Sequence, residues 1–247
     1  MPSWHAFLAL GTIAAYFLSY DLVKKHNLGV SKSDSVKLFL IIYISGFVGS
    51  RLLAIYFVEQ KFNILSLFRL GAMVLYGGIL LGIIVTAIYV HFKKISKANL
   101  LDAVIPGLLL GISFGRIGCF LNGDDYGRPV KIVGDYAPWW AVSFPNLGDR
   151  VQQVYRYPVQ LIESGICALI CIILVLNFKR IRETLGSGAV GFIGLMSYSV
   201  LRFFDEYLRG DMRGWFVEGV LSPSQAISVV IFLFSLACFS VLNLRKN

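Results

Sequence analysis

Charge is what this sequence lacks most. Asp, Glu, Lys and Arg make up 15% of its 247 residues, and hydrophobic residues reach 57%, whereas soluble domains carry about 25% charged and roughly 45–50% apolar residues. With a mean hydropathy of +0.71, a water-soluble globular domain is excluded. Histidine and cysteine are scarce too, and none falls at zinc-ligand spacing. A Gly-rich nucleotide loop and a serine nucleophile elbow are both missing, so no metal and no other cofactor is expected. Cys167, Cys171 and Cys238 lie within apolar segments, where a thiol acts as a small hydrophobe. There is no low-complexity stretch, linker or repeat, which makes residues 1–247 one expected domain. A transporter built from inverted repeats is correspondingly unsupported. The first apolar segment lacks a basic flank and a small-residue exit, so an anchor is expected there and not a cleaved signal.

What is present is a series of apolar blocks of helix-spanning length. They predict an all-α polytopic membrane helix bundle with about seven transmembrane helices: Trp4–Tyr20, Val36–Phe57, Leu70–Val90, Leu100–Gly118, Pro158–Phe178, Gly188–Leu208 and Leu221–Leu244. The net charge of +9 is not one nucleic-acid-binding patch, because the basic residues sit in clusters between the blocks. On one side short segments hold Lys24, Lys25, Lys32, Lys37, Lys93, Lys94, Lys97, Lys179, Arg180, Arg182, Arg245 and Lys246. Lys61, Arg69, Arg128, Lys131, Arg150, Arg156, Arg209 and Arg213 are spread through longer loops on the other, nearly balanced by acids. The positive-inside rule then places the N-terminus outside and the C-terminus in the cytoplasm. Trp139 and Trp140, in the long loop 119–157, suit a membrane–water interface on the outer side.

The fourth block ends in Gly115-Arg116-Ile117-Gly118-Cys119-Phe120-Leu121-Asn122-Gly123-Asp124-Asp125-Tyr126-Gly127-Arg128-Pro129. Glycine density of this kind marks tight turns or a close approach to the backbone, and an arginine still flanked by apolar residues expects an anion or carboxylate near the membrane surface. Other polar residues stand where a bilayer should reject them. Arg51, mid-helix among small residues, costs roughly 2.5–3.5 kcal/mol on insertion scales and is either a structural, paired arginine or a functional one. Tyr76-Gly77-Gly78 serves helix packing through small residues or puts a hydroxyl beside a substrate. Arg202, Asp205, Glu206 and Arg209 form one helical stripe, either an ion-pair ladder or a device in which Glu206 holds Arg202 against an anion. Gln160 and Glu163, just after Pro158, cap the fifth helix or orient the arginines. Gln225 is expected to cap the last helix or to bond between helices. Arginines converging near the outer leaflet match phosphate oxygens, and the abundant phosphate there is a phospholipid head group.

These residues resemble a family. Gly115-Arg116-x-Gly-x-Phe-x-Asn122-Gly-Asp124-x-Tyr126-Gly127 looks like the motif of bacterial prolipoprotein diacylglyceryl transferases. The resemblance continues in Tyr76-Gly77-Gly78, Tyr157-Pro158-x-Gln160-Leu161-x-Glu163, Arg202-Phe203-x-x-Glu206 and Ser222-x-x-Gln225. It implies an enzyme of the bacterial plasma (inner) membrane. Such an enzyme moves a diacylglyceryl group from phosphatidylglycerol to the lipobox cysteine thiol of a preprolipoprotein, leaving glycerol phosphate. Carried over by motif, Arg116 and Arg202 bind the phosphate and stabilise the leaving group, and Glu206 orients Arg202. Asn122, Tyr126, Gly127, Gly77 and Gly78 shape the lipid site, with Arg51, Asp124, Gln160 and Glu163 as further candidates. The chain departs from the family pattern at Tyr76, where histidine is frequent, at Cys119 in place of asparagine, and at Asp124 in place of glutamate. Tyr76 is therefore a base, or a donor or positioner while another group takes the proton; His5 is one such substitute. The expected partners are phosphatidylglycerol, the lipobox peptide and the bilayer, with the protein a monomer. Two other readings use the same arginines: a paralogue with another acceptor, and a phospholipid-binding or transport protein without chemistry.

Overall fold

The computed structural model describes residues 2–59, 74–131, 137–152, 154–211, 216–217 and 219–244. It is helical, and among the described residues β-structure is confined to isolated bridges. The helices are α1 (Pro2–Lys25), α2 (Lys32–Ala54, running into a π-helical turn Ile55–Glu59), α3 (Leu75–Phe92), α4 (Lys97–Asn122), the short α5 (Asp149–Gln152), α6 (Val159–Leu176), α7 (Phe178–Leu185), α8 (Ala189–Asp205) and α9 (Pro223–Leu244). A helix stands at each of the seven predicted segments. Among the described residues five (α1, α2, α4, α6 and α9) are long and apolar enough to cross a membrane. Counted as one broken span, the bent pair α7–α8 would make a sixth, and α3 contributes a shorter apolar run, Gly77–Phe92. The predicted start of the third helix, Leu70, lies outside the described residues.

The chain packs as two compact units, residues 23–100 and residues 1–22 with 101–247. In the first, α2 and α3 pair closely. A Cβ on Gly49 would collide with the Gly77 carbonyl, and one on Gly77 with that of Gly49. Small residues here let two backbones touch, the usual means of helix association where water supplies no driving force. Ser31 caps α2 by accepting from Asp34 N at 3.0 Å, and the Tyr89 hydroxyl donates to Asp34 at 2.7 Å. Arg51 is fully buried.

In the second unit α1 lies on α4. A Cβ on Gly11 would come within 2.8 Å of the Gly111 carbonyl oxygen, and one on Gly107 within 2.6 Å of that of Ala15. Ser113 of α4 and Ser164 of α6 are hydrogen-bonded at 3.0 Å. Gly191 and Gly194 of α8 fit against Leu101 and Ile105 of α4. At the start of α8, the buried Asp102 carboxylate accepts from Gly188 N at 2.7 Å and Gly191 N at 2.9 Å, and is ion-paired to Arg182. An acid from α4 thus satisfies the donors that a helix N-terminus leaves open. Residues 179–187, predicted as a connecting segment, include all of α7 but its first residue, Phe178. This eight-residue basic helix meets α8 at 109° across Gly186 and Gly188, both with φ +94°, a left-handed backbone that glycine adopts without steric cost.

At its other end α8 stops at Asp205. A 3₁₀ turn (Glu206–Leu208) follows, and Arg209 is extended at φ −74°, ψ 149°. The predicted stripe Arg202–Asp205–Glu206–Arg209 therefore does not continue along one helix. The tighter turn rotates Arg209 away from its i−3 and i−4 neighbours, and it pairs elsewhere. The polar ends of the helices are joined by bridges, Gly127 with Arg209, and Arg156 with Pro129 and Val142.

Candidate active site

Arg116 is set by the last turns of α4. Its Nε lies 2.7 Å from Glu163 Oε2 on α6, and its Nη1 2.6 Å from Asp125 Oδ2 in the turn that follows α4. The Glu163 side chain is only 1% exposed, and the Tyr198 hydroxyl donates to its other oxygen at 3.4 Å. A buried carboxylate held this way needs its arginine, since an unpaired ion in a low-dielectric site is expensive.

Arg202, near the end of α8, is gripped by three groups. Its Nη1 lies 3.0 Å from Asp205 Oδ2, and its Nη2 lies 2.9 Å from Glu206 Oε2 and donates to Ser224 Oγ at 3.0 Å. Ser224 is brought there by the start of α9, where Ser222 and Gln225 form a reciprocal capping box: Gln225 N donates to Ser222 Oγ at 3.2 Å, and Ser222 N to Gln225 Oε1 at 3.1 Å. Gln225 Nε2 also donates to the Phe203 carbonyl at 3.4 Å, so it both caps and links helices.

Arg209 completes the group. Its Nη2 lies 2.6 Å from Asp125 Oδ1, and its Nε and Nη2 meet Asp211 at 2.9 and 3.0 Å. It is placed by backbone stitching. Arg128 N donates to the Leu208 carbonyl at 2.8 Å, and Gly210 N to the Tyr126 carbonyl at 3.0 Å. The approach requires glycine, because a Cβ on Gly127 would overlap the Tyr157 carbonyl and one on Gly210 would lie 2.6 Å from the Gly127 carbonyl. Asp205 feels the charges of Glu163, Arg202, Arg209 and Arg116 together, so the three arginines form one electrostatic cluster.

The other motif residues frame this cluster. Asn122 Nδ2 donates to the Asp124 carboxylate, and Gln160, 1% exposed, donates from Nε2 to the Asp124 carbonyl at 2.7 Å. The ring of Tyr126 carries the Arg156 guanidinium at 4.7 Å. Arg156 is in turn bidentate to the buried Asp149, at 2.7 and 2.9 Å. Burial alone would raise the Asp149 carboxyl, but Arg156 and the Phe144 amide outweigh it and hold that group below the usual carboxylate range. Desolvation likewise opposes the charge on Arg209, and Asp211 and Asp125 more than offset it. Trp140 stacks on Tyr157 at 5.2 Å, and Trp139 is 95% exposed. Cys119 sits beside Arg116 and Trp4, half-buried. Gly77, Gly78 and Arg51 belong to the unit of residues 23–100; there Gly77 packs on Gly49, and a Cβ on Gly78 would meet Ser50 and the Gly46 carbonyl. The side chain of Tyr76 lies outside the described residues.

Sequence reasoning missed Tyr198, Asp211 and Asp125, the last of which stands at an unassigned position of the motif beside Asp124. An acid adjacent to the expected one was the available signal.

A helical, polytopic membrane protein whose arginines cluster at the polar ends of its helices belongs to the class that handles anionic groups at a bilayer surface. More particularly, the chain belongs to the prolipoprotein diacylglyceryl transferase family, whose model matches residues 3–241. It is 33% identical over 248 residues to the phosphatidylglycerol–prolipoprotein diacylglyceryl transferase of Clostridium tetani, covering 98% of this chain and 93% of that protein. It is 31% identical to a protein of that name from Clostridium botulinum (97% and 91% covered) and 30% identical to one from Geobacter sulfurreducens (98% and 92% covered).

Proposed function

We propose that this chain transfers a diacylglyceryl group from phosphatidylglycerol to the lipobox cysteine of a preprolipoprotein, at the outer face of the bacterial plasma membrane. The observation that carries this reading is the arginine cluster, Arg116, Arg202 and Arg209, gathered at the polar end of α4 and α8.

The acceptor thiolate attacks the glyceryl carbon that bears the phosphate. A sulfur–carbon bond forms, the carbon–oxygen bond to phosphorus breaks, and glycerol phosphate leaves with the electron pair. The charge on the leaving phosphate grows as that bond breaks. Guanidiniums already fixed in place stabilise it at little reorganisation cost. Arg116 and Arg202 are the proposed catalytic arginines, with Glu206 and Asp205 positioning Arg202 and Glu163 positioning Arg116. Asn122, Tyr126, Gly127 and Gln160 hold the turn carrying Asp124, and Gly77, Gly78 and Tyr76 are assigned to the lipid site by their motif. The thiol proton passes to a group other than the arginines, with Tyr76 and His5 as the candidates. The chain is proposed to act as one functional domain and a monomer, with its C-terminus in the cytoplasm.

The test is incubation of the purified protein with labelled phosphatidylglycerol and a lipobox peptide. Formation of a thioether-linked diacylglyceryl peptide together with glycerol phosphate is expected. Lipid that binds but yields neither product would leave a phospholipid-binding protein instead.

A further inference from the structure

Among the described residues the cluster has more carboxyl groups than guanidiniums. Arg116, Arg202 and Arg209 are ion-paired with five carboxylates: Asp125, Glu163, Asp205, Glu206 and Asp211. A phosphodiester adds a further negative charge to guanidiniums whose own charge is already offset by carboxylates. An anionic substrate therefore enters more easily where one of those acids yields.

Two of the five are poorly suited to yield. The Glu163 and Asp205 side chains are 1% exposed and stand on helices, each against an arginine. Removing either would leave a buried guanidinium short of its partner. Glu206 is paired with Arg202 and Asp211 with Arg209. Asp125 differs from all of them. It presents one oxygen to Arg116 and the other to Arg209, both at 2.6 Å, as the two free oxygens of a phosphodiester would. Its side chain is 26% exposed. It stands in a turn at φ +55°, a left-handed backbone that Asp visits more readily than most residues but at some cost.

We propose that Asp125 is a resident stand-in for the substrate phosphate, a counter-ion between Arg116 and Arg209 that the phosphodiester displaces. The proposal rests on the lipid-transferase reading and adds Arg209 to Arg116 and Arg202 in the phosphate clamp. Two properties follow for Asp125 as a specificity-determining residue. Small anions must compete with a carboxylate that is always present, so the site favours a ligand with binding energy from elsewhere, such as acyl chains in the bilayer. Once the glyceryl–oxygen bond is broken, glycerol phosphate has lost that anchorage, and the returning carboxylate expels it.

The experiment uses the full-length protein in detergent micelles. Asp125→Asn keeps the size and removes the charge, and Asp125→Ser separates charge from packing. Calorimetric titration with glycerol phosphate reads the clamp alone, and steady-state transfer reads it at work. Both variants are expected to bind glycerol phosphate roughly two- to fivefold more tightly than the parent, the scale of one partly exposed ion pair. The KM for phosphatidylglycerol should fall, and inhibition by glycerol phosphate should strengthen. If Asp125 only ties the turn in place, both variants will unfold at lower temperature, or fail to fold, without tighter binding, and the proposal is overturned. The titration needs no acceptor. Tighter glycerol phosphate binding in a protein that makes no thioether would sustain the clamp and remove the transfer reading. Normal transfer with unchanged glycerol phosphate affinity in both variants would do the reverse.

Discussion

Arg116 Nε and Glu163 Oε2 lie 2.7 Å apart, joining α4 to α6 through a pair whose acid is 1% exposed. Neither residue can be changed alone without stranding the other, and breaking such a buried pair typically costs about 3–5 kcal/mol. Arg116→Ala is expected to abolish transfer and lower the unfolding temperature together. Arg116→Lys should restore much of the stability but little of the activity, since an ammonium cannot serve two carboxylate-facing directions with a planar fork. Thermal unfolding beside a transfer assay separates the two effects; full activity in the lysine variant would remove Arg116 from the chemistry.

Arg202 offers a graded comparison. Glu206 is 11% exposed and Asp205 1%, so Glu206→Gln leaves Arg202 held by Asp205 and Ser224. It should reduce kcat less than Asp205→Asn does. Equal losses in the two variants would mean that both acids act beyond holding the guanidinium.

The Asp149–Arg156 pair sets a pH dependence in the polar loop. The Asp149 carboxyl is held below its ordinary value, so its stabilisation is complete above the unfolded-state pKa of about 3.9 and is lost as pH falls through the lower folded value. Trp140, stacked on Tyr157, is the reporter. Its fluorescence should change in acid below that range in the parent, and Asp149→Asn should show the acid-like spectrum already at neutral pH. A spectrum unaltered by that substitution would count against the pair as the determinant.

Two glycines of α2 give a sharp contrast. A Cβ at Gly46 meets nothing within 4 Å, while one at Gly49 overlaps the backbone of α3. Gly46→Ala should be neutral or stabilising by up to about 1 kcal/mol through helix propensity. Gly49→Ala should destabilise by about 1–3 kcal/mol through overpacking. Denaturation in mixed micelles would show whether the order holds.

How much was legible in the sequence follows from the range of each interaction. The helices were readable because apolar runs of spanning length have few alternatives in a membrane protein, and the Arg202–Glu206 pair because i,i+4 neighbours meet on any helix. α7 was not readable: eight residues with Lys179, Arg180 and Arg182 in them look like a loop when hydropathy is the guide. Nor was the fate of Arg209, since nothing local announces that the helix tightens after Asp205 and sends that arginine to Asp125. The motif Gly127 was recognised, but its physical reason, contact with the Tyr157 backbone, depends on a distant segment. Asp124 and Asp125 show the limit most plainly. Adjacent acids are equivalent on paper, and only a left-handed turn aims one of them between two arginines.

The Asp102 clasp has a reach well beyond its own surroundings. It fixes the first turn of α8, and fourteen residues further along the same helix stands Arg202, about 20 Å away at 1.5 Å per residue. α8 thus works as a spindle seated at one end and bearing its tool at the other. A lesion at Asp102 would let that spindle turn or slide in its seat. An arginine displaced by even part of a helical step would then miss the phosphate it is proposed to bind, though every other residue of the proposed site was intact.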